Sequence, residues 1–344
     1  MTQVAILPDP LKEVAPPRGR SGGAAWAIWL LRRLGLAVLT LWLVSVLVFV
    51  ATAALGDPVR AILGRDYDSN PGRVAQLEEQ LNADDGLISR YLSWLGGLLT
   101  GDPGTSLANQ QPVWGQISAN VVNTLVLVLL AAAVMIPLAF GIAMISAHYR
   151  RRRPDTVIQT ILLALAGVPE FVTGILLVAL FSTSVFNIFP AVTIATPGGR
   201  PWDNLDGMVL PVATLVLAVT PHVSRIVRAS LLEVLDSDYV ELARLKGIPE
   251  SVVMRKHALL NAIVPGIQVI ALQLAWLAGG VVLVETLFSY PGIGRQLVDS
   301  VRNHDVPMVQ ALTIIIAAVY IVVNLVADLL SVLLTPRART AISS

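Results

Sequence analysis

The sequence predicts an all-α integral membrane protein with six transmembrane helices. Three observations carry that prediction. Of 344 residues, 55% are apolar and only 14% charged, against about a quarter charged in an ordinary soluble domain. The mean hydropathy is +0.72. The apolar residues are gathered into six long runs almost free of charge, each near the roughly 20 residues that a helix rising about 1.5 Å per residue needs to cross about 30 Å of hydrocarbon. Inside lipid the backbone must satisfy its own hydrogen bonds, which makes each such run a helix.

In chain order the runs are Leu34–Leu55, Val121–Ala147, Val157–Val185, Met208–Arg225, Ile267–Phe288 and Met308–Leu334. Of the 24 Lys+Arg, 17 fall on one side if the N-terminus is cytoplasmic: the tail through Arg33, Arg150 to Arg153, the segment from Arg225 to Lys256, and Arg337 with Arg339. The positive-inside rule then places both termini in the cytoplasm. Pro169, Pro211 and Pro221 fall within runs and predict kinks or unwound turns.

Residues 1–28, rich in Pro with a Gly/Ser cluster at 21 to 23, read as a flexible cytoplasmic tail, and 339–344 as a short C-terminal one. The apolar stretch near the N-terminus is interrupted by Arg32 and Arg33 and is not patterned as a secretory signal. Residues 29–119 form the first transmembrane helix plus an extracytoplasmic segment, with short helices expected over Arg73–Asn82 and Gly86–Leu99. Trp94, Trp114, Tyr67 and Tyr91 anchor that segment at the outer interface, either as a structural lid or as a docking surface for an extracytoplasmic partner. Residues 120–338 hold the other five helices.

Several chemistries are excluded. There are no cysteines, so disulfides, thiolate metal sites and cysteine nucleophiles are out. His222 and His304 are isolated, and no metal site is expected. The formal net charge of +1 argues against nucleic acid as a partner. No G-x-x-x-x-G-K-[ST], H-E-x-x-H or G-x-S-x-G pattern occurs, so the chain has neither a nucleotide-hydrolysing loop nor a recognisable hydrolase site.

The most informative segment is the cytoplasmic one, 231–265. Leu231, Leu232, Leu235, Tyr239, Leu242 and Ala243 recur at helical three-and-four spacing, with Glu233, Asp236, Asp238, Glu241 and Arg244 on other faces. Gly247 stops this helix, and Pro249 with Glu250 suits the first turn of a second, running on to Pro265. Such a helix pair is too amphipathic to span and too apolar for water. It either lies on lipid headgroups or inserts into a groove of a cytosolic protein.

The string Asp238-Tyr239-Val240-Glu241-Leu242-Ala243-Arg244-Leu245-Lys246-Gly247, with His257-Ala258-Leu259-Leu260-Asn261-Ala262-Ile263-Val264-Pro265, resembles the coupling motif of ABC importer permeases. Leu55-Gly56-Asp57-Pro58, Tyr91-Leu92-Ser93-Trp94, Gly104-Thr105-Ser106-Leu107, Asn123-Thr124-Leu125 and Glu285-Thr286-Leu287-Phe288-Ser289-Tyr290-Pro291-Gly292-Ile293-Gly294 extend the similarity to the B-type permeases of the dipeptide, oligopeptide and nickel importer family. Two departures stand out. Thr335 precedes the terminal Pro336-Arg337 where the family usually carries an acidic residue, and Ala83-Asp84-Asp85-Gly86-Leu87 rearranges its usual Gly-Leu-Asp.

The resemblance implies a type I ABC importer permease fold in a bacterial cytoplasmic membrane. It implies a homologous second permease subunit, two ABC ATPase subunits holding ATP and Mg, and an extracytoplasmic substrate-binding protein. The cargo it implies is di- or oligopeptides, with nickel chelates, glutathione or oligosaccharides as alternatives; a passive channel or ion-driven carrier is the rival from another class. Asp238, Tyr239, Ala243, Arg244, Lys246, Gly247, His257, Asn261 and Pro265 become ATPase-coupling residues, Tyr239 and Ala243 as a small apolar contact, Arg244 and Lys246 toward partner carboxylates. Within the spans, Glu170 either lines the translocation path or makes a helix-packing hydrogen bond. Glu285 and Asp328, nearer span ends, are expected to pair between helices or at the interface, and Glu285 joins Pro291, Gly292 and Gly294 as a candidate path or gate. Arg150 to Arg153 set topology and face membrane lipid.

Overall fold

The computed structural model describes residues 22–54, 58–63, 67–80, 85–193, 201–254 and 259–334. They form α1 (Gly22–Ala54), α2 (Pro58–Leu63), α3 (Pro71–Gln80), α4 (Leu87–Thr100), α5 (Val113–His148), α6 (Arg153–Ala166), α7 (Glu170–Val178), α8 (Asp206–Leu235), α9 (Asp238–Leu245), α10 (Glu250–Val252), α11 (Leu259–Leu287), α12 (Ile293–Arg302) and α13 (Val306–Leu334). Among the described residues there is no strand, only an antiparallel bridge between Thr105 and Pro112.

The centre of the molecule is the α5–α8 pair. Leu127, Ala131, Met135, Ala139, Ala143 and Ala147 of α5 are all buried at four-residue spacing, and so are Leu215, Val219, Val223, Val227, Leu231 and Leu235 of α8. Two ridges of period four that share one core, one of them mostly alanine, let the helices approach closely. Ser224 Oγ donates to the Ala139 carbonyl across the seam at 3.2 Å. Around this pair lie α11 and α13, with α1 outermost on α13. There the Thr52 hydroxyl accepts from Gln310 at 2.7 Å, and Arg33 pairs with Asp328 at 2.8 Å, the interhelical partnership expected of Asp328. Leu31, Val38 and Leu47 of α1 are exposed, as expected of apolar side chains in contact with lipid.

Helix α1 from Trp26, α5, α8 and α13 as far as Leu330 are each long and apolar enough to cross a membrane. Helix α11, 29 residues with no charge before Glu285, has the same reach. The third predicted span is not a straight helix: α6 and α7 meet at a 99° bend. The 14 residues of α6 rise only about 21 Å, short of the hydrocarbon thickness. Pro169 causes the break, since it lacks the N–H to continue α6 and disfavours helical geometry at Val168. A six-residue π-helical turn, Ala179–Ser184, then extends α7.

Other boundaries differ from the sequence reading. Helix α8 runs ten residues beyond Arg225 because its buried stripe continues through Val227, Leu231 and Leu235. Helix α5 passes residue 119 without interruption. Of the expected second helix of the 231–265 segment, α10 covers Glu250–Val252 with Val253 and Met254 in a π-helical turn, residues 255–258 lie outside the described residues, and Leu259 to Pro265 open α11. In the segment after α1, α3 covers the expected helix as far as Gln80, residues 81–84 lying outside the described residues, and α4 lies within one residue of its expected position. Tyr91 and Trp94 of α4 pack against Phe49 of α1, with ring centroids 5.4 and 5.9 Å away. Tyr91 also shares a 2.8 Å hydrogen bond with Ser45.

Candidate functional site

The elbow between α8 and α11, expected on the cytoplasmic side, is built on α9. Its helix starts after Ser237 in an extended conformation, with Asp238 and Glu241 in the first turn where the helix dipole favours negative charge. It ends at Gly247, whose φ of +76° is the left-handed conformation that glycine adopts without a Cβ penalty. The Gly247 and Ile248 N–H groups return to the Arg244 and Ala243 carbonyls at 2.9 and 3.2 Å, closing the helix C-terminus.

The two faces of α9 differ. Val240 and Ala243 are buried in the same core cluster as Val253, Met254 and Leu235. Tyr239, Leu242 and Leu245 point outward, 44%, 52% and 79% exposed. Ala243 therefore faces this chain's own core and is not the apolar contact for a partner; the outward face is Tyr239, Leu242 and Leu245, with Lys246 exposed beside it. Arg244 is likewise engaged within the chain. Its guanidinium forks onto Glu250 at 2.7 and 3.0 Å and also donates to the Leu235 carbonyl at 3.3 Å. One side chain thus joins the end of α8, α9 and α10. His257 lies outside the described residues, and Asn261 and Pro265 belong to α11.

Two further ion pairs brace the elbow. Arg150, just past α5, binds both carboxylate oxygens of Asp236 in the α8–α9 link. Arg228 of α8 forks onto Asp155 of α6 at 2.6 and 2.9 Å, and Asp155 also accepts from Ser146 of α5 at 2.6 Å. The Arg244 fork holds the Glu250 carboxyl below the usual carboxylate range, and Arg150 does the same for Asp236. Movement of α9 is thereby tied to α5, α6 and α8 together.

At the opposite end of the bundle from the elbow, Glu285 is fully buried in a clasp between α5, α11 and α12. Its carboxylate accepts from the Thr124 hydroxyl at 2.6 Å and from the Gly294 and Arg295 backbone N–H groups at 2.8 and 3.1 Å. The Thr124 oxygen in turn accepts from the Ile293 N–H at 3.0 Å. Asn123 donates to the Pro291 carbonyl at 2.7 Å, and the Tyr290 hydroxyl donates to the Asn123 carbonyl at 2.8 Å. Gly292 and Gly294 are the residue types that fit: a Cβ on Gly292 would lie 1.9 Å from Glu285 Oε1, and one on Gly294 would lie 2.6 Å from Val282 Cα. Glu285, Pro291, Gly292 and Gly294 are thus one unit. Glu285 pairs between helices, as expected from its place near a span end.

Glu170 is not part of that unit. It opens α7 at the bend, where Gly167, Val168 and Pro169 meet Ala218 and His222 of α8 and Gln273 and Trp276 of α11 around a cavity of about 420 Å³. Neither a hydrogen bond nor an ion pair ties the Glu170 side chain to another described residue, so the helix-packing alternative for this carboxylate lacks a partner within the chain.

Sequence reasoning missed the supporting residues. Asn123 and Thr124 stand out in the sequence as a motif without a role, and Asp155 with Arg228 are ordinary charges at predicted helix ends, brought together only by the packing of α6 on α8. Ser106 and the Leu107 N–H both donate to buried Asp305, which fixes the outer loop to the start of α13.

Comparison with known proteins agrees with this architecture. Residues 136–340 match the family described as "Binding-protein-dependent transport system inner membrane component", and residues 27–139 match the N-terminal model of the same transport-system membrane component. The glutathione transport system permease protein GsiC of Salmonella choleraesuis is 36% identical over 314 residues, covering 90% of this chain and 98% of that protein. GsiC of Escherichia coli K12 is 36% identical over 311 residues, covering 90% and 97%. The crystal structure of an amino acid ABC transporter with histidines aligns over 66% of this chain and 94% of that one, at 20% identity and a TM-score of 0.46. Spans, elbow and family match together place this chain in the binding-protein-dependent transport system inner membrane component family, as a permease subunit of an ABC importer.

Proposed function

We propose that this permease carries short peptides, glutathione-like tripeptides included, inward across the bacterial cytoplasmic membrane, with both termini cytoplasmic. The relatives named as glutathione permeases, matched along 90% of this chain, support that cargo class over nickel chelates and oligosaccharides. The chain works with a homologous second permease, an extracytoplasmic binding protein and two ATPase subunits. ATP and Mg are held by those ATPases, since nothing in this sequence has the pattern of a phosphate-binding loop.

The observation that carries the coupling role is the outward apolar face of α9, Tyr239, Leu242 and Leu245, on an elbow whose other face and ion pairs belong to the chain's own core. ATP binding closes the ATPases around this face. The elbow moves with α8, and the spans turn from inward-facing to outward-facing to receive the ligand from the binding protein. Hydrolysis resets them. The segment 231–265, with Asp238, Tyr239, Lys246 and Gly247 in place on the elbow, is the coupling region, and the Glu285–Pro291–Gly292–Gly294 clasp closes the outer end of the path.

The test is reconstitution of the four-component complex with its binding protein in proteoliposomes. Gly247→Asp places a side chain at φ +76° beside the docking face, and it is expected to abolish ATP-driven uptake while the subunit still inserts and assembles in amounts equal to wild type. Uptake at the wild-type rate by this variant would sink the coupling assignment.

A further inference from the structure

The cavity at the bend carries polar side chains on otherwise apolar spans. Gln273 is the midpoint of α11, Trp276 lies one turn further on, and His222 sits just past the middle of α8. With Glu170 at the start of α7, these side chains line about 420 Å³ of space between apolar helices. A carboxylate or an amide against lipid tails is costly by several kcal/mol, so this wall faces water or a solute. Glu170 is its one acidic side chain, His222 its one imidazole, and no Lys or Arg lines the cavity. Trp276, 42% exposed, offers an indole face of the kind that attracts ammonium groups. The Gln273 amide supplies both a donor and an acceptor, the complement of a peptide group.

We propose that this cavity is a transit site for a solute's protonated primary amine, with Glu170 as its counter-charge, Trp276 as the face it stacks on and Gln273 as the contact for the adjoining amide. This rests on the permease reading and adds to it the chemical group that the membrane domain itself recognises. An amine entering the site is attracted by one carboxylate only, so it is held weakly enough to leave again, as a transport path requires.

Because the chain contains no cysteine, one introduced thiol reports on the cavity alone. In the assembled complex in nanodiscs, Ala218→Cys is treated with a cationic aminoethyl and an anionic sulfonatoethyl methanethiosulfonate, and modification of this subunit is followed by mass spectrometry. The cationic reagent is expected to be favoured, and adding Glu170→Gln is expected to lower that preference about tenfold, the lower end of what a focused field does to local ion concentration. Triglycine at tens of millimolar is expected to slow cationic labelling severalfold, and N-acetyltriglycine is not. Ala166→Cys, on the same cavity wall, serves as the second reporter if Ala218→Cys does not assemble. Absence of labelling by either reagent would mean a sealed or lipid-filled space and would overturn the proposal. Labelling without charge preference, which would mean a cation from the second permease already neutralises Glu170, would overturn it as well, as would equal protection by both peptides. Failure of the wild-type complex to show ATP-driven uptake would count against the permease reading instead, because the labelling pattern is read without turnover.

Discussion

Replacing Gly292 by alanine tests the outer clasp most directly. Its backbone, at φ −104° and ψ 178°, is one that any residue adopts, so alanine would meet no conformational penalty. The cost is steric: the new methyl would lie 1.9 Å from Glu285 Oε1 and 2.1 Å from Cδ, far inside contact distance. The carboxylate cannot swing away, since Thr124, Gly294 and Arg295 all hold it and it is fully buried. Overpacking of this kind costs about 1–3 kcal/mol, and pushing the carboxylate off two backbone donors adds about 1–3 kcal/mol for buried groups left unmatched. Gly292→Ala is therefore expected to lose about 2–6 kcal/mol, visible as a fall of several degrees in the thermal midpoint of the detergent-purified subunit followed by tryptophan fluorescence. Glu285→Asp, one methylene shorter, removes the clash, so the double variant is expected to be more stable than the sum of the single losses predicts. Gly141→Ala, with nothing within 4 Å of the added Cβ, is the control and gains up to about 1 kcal/mol from helix propensity. A wild-type midpoint for Gly292→Ala, or strict additivity with Glu285→Asp, would refute the reasoning.

Two more expectations concern the elbow and the helix ends around it. Arg228→Ala leaves Asp155 buried without its cation and is expected to cost about 3–5 kcal/mol, whereas Arg228→Met with Asp155→Leu recovers most of that loss; equal midpoints for the single and double variants, by thermal unfolding, would contradict it. The Glu250 carboxyl is held below its ordinary value by Arg244. The associated stability is thus fully present above about pH 4.3, the unfolded value, and disappears as pH falls through the lower folded value. Both side chains are more than a third exposed, so the effect is at most about 1 kcal/mol. Hydrogen exchange at the Gly247 and Ile248 amides, corrected for intrinsic rate, should accelerate modestly below pH 4.3, and Arg244→Gln should remove that acid dependence; an unchanged profile in the variant would count against the fork as its source.

Much of the architecture was legible because hydropathy, charge and proline are local signals. The runs beginning near Leu34, Val121, Met208, Ile267 and Met308 each open within a helix, and Gly247 with its flanking charges marks the elbow. What escaped depends on partners distant in sequence. Whether Ala243 faces inward or outward is decided by Val253 and Met254 folding back beneath it, and a three-and-four periodicity alone does not say which face meets the core. Arg244 reads as a free cation until Glu250 is placed six residues on across a tight turn. The 99° bend was signalled by Pro169, but a proline in a membrane helix can produce a slight kink or a full break, and the outcome depends on how α8 and α11 receive the two halves. Glu285 shows the reverse case: as an isolated acid near a span end it is ambiguous, and only the close approach of Gly292 and Gly294 reveals how its charge is accommodated.

Helix α8 reaches from the outer loop to the elbow in 30 residues, about 45 Å at 1.5 Å per residue, so a stiff rod tilted by only about 5° at one end would sweep roughly 4 Å at the other. It is not uniformly stiff. Pro221 removes one backbone bond of the ladder, and its neighbours in sequence, Ala218 and His222, line the mid-span cavity whose opposite wall is the Pro169 bend. Torque applied at Leu235 is therefore absorbed first where the helix is most compliant, and that joint coincides with the wall of the cavity. A small angular input at the elbow would become a change in the width of the cavity before it became any displacement of the far end of α8.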